Sequence, residues 1–244
     1  MKKRSKTEVD IRNILSEILL HSLRSSTKVN VLNLILKYCN KTSEEVINRI
    51  YMKDLLKKKA NLDWVEFNWE HLSKDVHLKR LFVFGLGDSI KLKSRYAKYQ
   101  TFICPKTIAY LKLISRLKAW TEKTDDELEG KVKVGVMLFN SGFFFECHEY
   151  LEEIWSKEKG REKSFLKGLI HGCVAFYHLE YENIKGTVNY LKRSYAKLKE
   201  FQPGFLGMDV GRFLSDIDKA SKVLEESDSK YSIDDAPTIK LIDQ

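Results

Sequence analysis

His148, Glu152 and Trp155 stand at i, i+4 and i+7 within the run FNSGFFFECHEYLEEIW at 139–155. In a helix each residue turns by about 100°, so the three fall within roughly 60° of one another and form one stripe. An imidazole and a carboxylate one turn apart can ligate a single divalent ion, and such a site needs at least one more ligand. His171 and His178, further along the chain, are the candidates. Glu149 and Glu153 form a neighbouring stripe and could orient a ligand or act as a general base. A divalent metal is the one cofactor this pattern suggests, and a metal-dependent hydrolase is the reaction class that would follow. The zincin HExxH is not present, because position 152 holds Glu where that motif requires His.

The same stripe has a purely structural reading. A helix could bury His148 and Trp155 against the segment carrying Gly168 and Gly172, with Glu152 accepting a hydrogen bond from His148 or from the Trp155 indole. Cys147 sits beside His148 but points about 100° away from it, so it reads as a small buried residue rather than a nucleophile. Phe143, Phe144 and Phe145 read as core. His21, His71 and His77 are isolated, and no Ser/His/Asp set with a nucleophile elbow occurs.

The elements that must position these residues are helices. Val134, Met137 and Leu138 close one helix, and Asn140 and Gly142 suit a tight break. Helices are expected over about 143–157, 161–181 and 184–201. After a loop with Pro203, Gly204 and Gly207, Asp209 can cap a fifth helix with Val210, Phe213, Leu214, Ile217 and Val223. No strand pattern intervenes, so the expectation is an all-α bundle of helical hairpins. On these residues the chain resembles the family called domain of unknown function 309. The matching segments are the HxxxExxW run at 139–155, FLKGLIHG at 165–172, Tyr177-His178 and PGFLGMDV at 203–210. The resemblance covers about residues 130–220 and implies a short all-α bundle of helix pairs. It also implies a motif suspected of binding metal. Cys147 stands where members usually have a small residue, and His171 where an amide is commoner.

The preceding 120 residues differ in charge. They hold 25 Lys and Arg against 11 Asp and Glu, an excess of 14, while residues 121–244 carry a net −5, within a chain total of +9 over 244 residues. Such asymmetry suggests two parts with different partners. Amphipathic helices are expected over 7–24, 28–38 and 43–59, with a turn at Asn40 to Ser43 and a capping box of Thr42 and Glu45. A strand over 62–69 and a hairpin of Leu81 to Phe84 with Ile90 and Leu92 would follow, then a helix opened by Pro105 over 105–119. This order describes a winged-helix-like α+β domain. Lys57, Lys58, Lys59, Lys79, Arg80, Lys91, Lys93, Arg95 and Lys98 could neutralise phosphates. Against this, Glu44 and Glu45 at the start of the presumed recognition helix would repel a phosphate backbone. GLGDS at 85–89 lacks the lysine of a phosphate loop.

The expected organisation is therefore mainly α: a basic domain over 1–120, a linker over 121–129, the helical domain over 130–227 and a tail over 228–244. With 43% hydrophobic residues the chain can build a core, which excludes global disorder. Four cysteines without close spacing argue against a disulfide scaffold and point to a reducing, cytoplasmic setting. No apolar run approaches a membrane span, so no membrane partner is expected. The leading expectation for function is a nucleic-acid or partner-binding regulator with a helical ligand-sensing or interaction domain. The metal-dependent hydrolase and a structural helical scaffold stand as alternatives.

Overall fold

The computed structural model describes residues 5–41, 50–51, 73–85, 89–121, 127–226 and 231–242. The chain is mainly helical and divides into two compact units, Arg4–Arg116 and Leu117–Gln244.

In the first unit α1 (Lys6–Ser22) begins at a capping box. The Ser5 hydroxyl accepts from the Glu8 N–H at 3.2 Å, and the Ser5 N–H donates to Glu8 Oε2 at 2.8 Å. Its apolar stripe, Ile11, Ile14, Leu15, Ile18 and Leu19, is fully buried, as are Leu32, Leu34 and Ile35 of α2 (Ser26–Lys41). α2 continues through Asn40 and Lys41, where the sequence suggests a turn, because neither glycine nor proline stands there to end it. Ile50 and Tyr51, expected inside a helix, form β1. A β-branched and an aromatic residue pair with a sheet edge, and that partner outweighs helical periodicity. The remainder of the expected 43–59 helix, the expected strand over 62–69, and Lys57, Lys58 and Lys59 lie outside the described residues.

Asp75 caps α3 (Val76–Leu81), its Oδ1 accepting from the His77 and Leu78 N–H groups at 2.9 and 3.0 Å. The hairpin of β2 (Phe82–Gly85) and β3 (Ser89–Leu92) follows as expected, antiparallel, with Phe82 opposite Leu92 and Phe84 opposite Ile90. β1 joins the other side of β3, so the strand order is β1-β3-β2. Phe82, Ile90 and Leu92 are buried while Val83 and Lys91 are exposed, the alternation of a sheet with one covered face.

After a 3-10 helix at Ser94–Tyr99, α4 spans Gln100–Thr121. Pro105 therefore lies within the helix instead of opening it. So near the start, its missing N–H removes a single bond of the ladder. Cys39 of α2 and Cys104 of α4 form a disulfide, with Cα atoms 5.8 Å apart. Their separation of 65 residues conceals the pairing from any reading of local spacing, and the bond removes the cysteine argument for a reducing compartment.

The second unit stacks α5 (Glu127–Asn140), α6 (Phe144–Trp155), α7 (Gly160–Leu179), α8 (Ile184–Leu198) and α9 (Val210–Glu225), each packed on its neighbour in sequence. Gly142, at φ +73°, makes the break between α5 and α6. Phe139 anchors the core, meeting Phe144, Phe176 and Phe213 edge-on at 5.0, 5.4 and 5.6 Å between ring centroids.

The glycines of α7 face α8 and α9, not the motif helix. A Cβ on Gly168 would lie 2.7 Å from Leu198, and one on Gly172 would lie 3.2 Å from Phe213. The close approach to the motif helix comes from α5, where a Cβ on Gly135 would meet Leu151 at 2.8 Å. Asp209 caps α9 through the Arg212 N–H at 2.9 Å, as expected.

Two features add to the helices of this unit. Gly204–Phe205 (β4) and Met208–Asp209 (β5) form a short antiparallel ladder. Residues 231–242 dock on this unit: Ile239 is buried, the Asp209 N–H donates to the Lys240 carbonyl at 3.0 Å, and the Ile242 N–H donates to the Gly207 carbonyl at 2.8 Å. Among the described residues no helix is long and apolar enough to cross a membrane.

Candidate functional site

α6 and α7 position the motif. The His148 side chain is 14% exposed, and its Nε2 lies 3.1 Å from Glu149 Oε1. Its Nδ1 is buried and has no hydrogen-bond partner among the described residues. The ring stacks on Tyr177 of α7 at 6.1 Å and meets Phe145 edge-on at 4.9 Å.

The expected bond from His148 or Trp155 to Glu152 is replaced by the contact with the adjacent Glu149, and Glu152 points to solvent as an exposed residue. Trp155 is half-buried, with Lys163 Nζ 4.5 Å and Lys167 Nζ 4.7 Å from its ring centroid.

His178 stacks on Tyr190 of α8 at 5.3 Å, and its Nδ1 is 2.8 Å from the Asn183 side-chain amide nitrogen. His171 meets the same Tyr190 ring edge-on at 5.7 Å, and among the described residues its buried Nδ1 has no hydrogen-bond partner. Burial lowers the pKa of both imidazoles; for His171 the nearby Lys167 adds to the effect.

The three histidines thus do not meet at a point. They lie along a chain of rings, from His148 through Tyr177, His178 and Tyr190 to His171. Among the described residues no group of three or more His, Cys, Asp or Glu is arranged to hold a metal ion.

Cys147, expected to be buried, is fully so. Its thiol donates to the Gly135 carbonyl at 3.2 Å and accepts from Cys173 at 3.0 Å. Burial pushes the Cys147 thiol pKa well up, and the bond with Cys173 acts in the same direction. Such a thiol is a core group rather than a nucleophile. Of the three expected core phenylalanines, Phe144 is buried while Phe143 and Phe145 are half-buried.

Sequence reasoning missed the pairing of Cys147 with Cys173 and the cations around Trp155 and Tyr190. The latter had a partial signal: Lys163 and Lys167, like Arg193 and Lys197, are one helical turn apart. That the two pairs share one face follows only from the packing of α7 on α8.

In the first unit Lys79, Lys91 and Lys98 are exposed, and none has an ion-pair partner among the described residues. Lys98 lies over the Tyr99 ring at 5.1 Å. Of the other expected phosphate-binding cations, Lys93, Arg80 and Arg95 are engaged internally, while Lys57, Lys58 and Lys59 lie outside the described residues. Lys93 donates to the Lys79 carbonyl at 2.6 Å, Arg80 pairs with Glu17 at 2.5 Å, and Arg95 pairs with Asp10 at 3.6 Å. Tyr96 donates its hydroxyl to the same Asp10 carboxylate.

Two curated relatives are similar to part of the chain. An uncharacterised protein of Aquifex aeolicus (strain VF5) is 26% identical over 99 residues, which is 39% of this chain and 30% of that protein. The uncharacterised protein YpuF of Bacillus subtilis (strain 168) is 31% identical over 93 residues, which is 37% of this chain and 53% of YpuF. The chain therefore spans about a third and about half the length of these relatives. The HxxxExxW segment lies in the region that matches a family model, and the matched family is the one its residues resemble: residues 132–190 match the domain of unknown function 309.

Proposed function

We propose that the chain is a two-part binding protein. A basic, winged-helix-like domain over 1–120 engages nucleic acid, and a mainly helical domain over 130–227 binds a ligand or partner. The observation that carries the first half is the excess of 14 positive charges in the first 120 residues, together with exposed Lys79, Lys91 and Lys98, which have no ion-pair partner among the described residues. The strand order β1-β3-β2, with α3 directly before the β2–β3 hairpin, supports the winged-helix reading. In that reading α3, with Lys79 and Arg80, stands before the wing in place of a helix opened by Glu44 and Glu45. The repulsion those carboxylates implied then no longer bears on it. The hydrolase reading has no support from the donor geometry of the described residues.

The test is binding of the full chain to duplex and single-stranded oligonucleotides across a range of salt. Affinity should fall as salt rises. K79E/K91E/K98E should weaken binding on all sequences and flatten the salt slope by about one unit for each phosphate no longer neutralised. Absence of salt-dependent binding by the unaltered chain would overturn the nucleic-acid reading.

A further inference from the structure

The second half of the chain carries net negative charge, yet one of its faces is cationic. Lys163 and Lys167 of α7 both approach the Trp155 ring, and Arg193 of α8 lies over the Tyr190 ring at 5.2 Å. Lys197 is one turn beyond Arg193, and its Cβ would be 3.0 Å from a Cβ placed on Gly168, so it sits beside Lys167 in the α7–α8 seam. After burial, the charges of Lys167, Arg193 and Lys197 are all near enough to His171 to disfavour its protonation, opposed in part by an interaction with the Arg193 backbone. Among the described residues none of Lys163, Lys167, Arg193 and Lys197 has an ion-pair partner, whereas Lys157, Lys192 and Lys222 of the same unit do. The packing of α7 on α8 therefore gathers like charges around the His171 imidazole. Like charges brought together without a counter-charge repel, and a bound anion relieves that repulsion.

We propose that the face formed by Trp155, Lys167, His171, Arg193 and Lys197 binds a ligand carrying two or more phosphoryl groups. The guanidinium of Arg193 matches the paired oxygens of a phosphoryl group, and the lysines act as point charges on the rest. Cations spread over two helices suit an extended polyanion better than a single carboxylate. The ligand is held through its phosphoryl groups, so inorganic pyrophosphate and a nucleoside triphosphate share the chemistry. This assignment deepens the ligand-binding reading of the helical domain and is independent of the nucleic-acid reading.

The test is calorimetric titration of the full chain with pyrophosphate, ATP and citrate. The unaltered chain should bind pyrophosphate or ATP, and bind citrate less well. K167Q/R193Q/K197Q should bind about tenfold more weakly or worse, as expected for loss of charge-assisted bonds. Arg193 is exposed, so R193Q alone serves as a second variant that leaves the core intact and should also weaken binding. Preference for ATP over pyrophosphate would identify a nucleotide as the source, and the reverse an inorganic phosphate. The proposal is overturned if the unaltered chain binds neither phosphate probe at millimolar concentration, if citrate binds as tightly, or if both variants bind like the unaltered chain. K79E/K91E/K98E should keep pyrophosphate binding; its loss there would place the anion site on the first unit and overturn this assignment, while oligonucleotide binding is read separately.

Discussion

The hydroxyl of Ser194 on α8 donates to the carbonyl of Gly168 on α7 at 2.8 Å, in a fully buried contact between two helices. This bond and the missing side chain at position 168 set how closely the helices approach, and hence where Lys197 and Arg193 stand relative to Lys167 and His171. A Cβ at position 168 would fall 2.7 Å from Leu198 and 3.0 Å from the Lys197 Cβ. Gly168→Ala should therefore cost about 1–3 kcal/mol, as overpacking of a filled core does. Urea denaturation of the variant measures the change, and an unchanged midpoint would show that the seam can open without cost.

Asn140 ties residues 231–242 to the bundle. Its amide donates to the Ile239 carbonyl at 2.8 Å, and its Oδ1 accepts from the Ile239 N–H at 2.8 Å. Asn140→Ala leaves both backbone groups of Ile239 without that partner and should cost about 1–3 kcal/mol. Faster amide exchange at Ile239 and its neighbours, read by hydrogen exchange with mass spectrometry, should accompany the destabilisation. Protection equal to that of the unaltered chain would show that the Met208 to Leu241 bridge alone holds the segment.

Asp75 makes the first unit sensitive to acid. Burial alone would raise its pKa, but the His77 imidazole 3.6 Å away, the hydrogen bond from the Lys28 side chain and that from the Leu78 N–H overcome this and hold it well below the usual carboxylate range. A carboxylate with a depressed folded pKa stabilises the fold above its unfolded value of about 3.9, and that contribution is lost as pH falls below it. Asp75→Asn should lower stability at neutral pH by about 1–3 kcal/mol and make the decline below pH 4 shallower. Melting curves of the two proteins between pH 7 and pH 3 test both effects; parallel curves would remove Asp75 as the acid-sensitive group.

The four cysteines should sort into two kinds. Cys39 and Cys104 are joined, while Cys147 and Cys173 are free thiols in the core. A thiol reagent such as Ellman's should find essentially no reactive group in the folded oxidised chain and two on unfolding. Prior reduction should raise the unfolded count to four. Ready reaction in the folded state would contradict the burial of the Cys147–Cys173 pair.

Much of this architecture is legible in local spacing. The stripe Ile11, Ile14, Leu15, Ile18 and Leu19, the β2–β3 hairpin, the break at Gly142 and the Asp209 cap each depend on residues within a few positions of one another. The helical identity of α5 to α9 follows from 3.6-residue periodicity in the same way. Ile50–Tyr51 reads as helix by its own periodicity, because two residues make a strand only when an edge such as β3 is there to pair with.

The motif shows the same division. That His148, Glu152 and Trp155 share a stripe is a property of the helix. That His148 takes Glu149, that Trp155 takes two lysines, and that Tyr190 separates His171 from His178 depends on how α6, α7 and α8 pack. The Cys39–Cys104 bond and the docking of 231–242 likewise join positions 65 and 99 residues apart. Short-range periodicity thus specifies the helices and the charge that each one carries. The partners of those side chains are chosen by contacts between segments distant in sequence, where neither periodicity nor spacing holds information about distance in space.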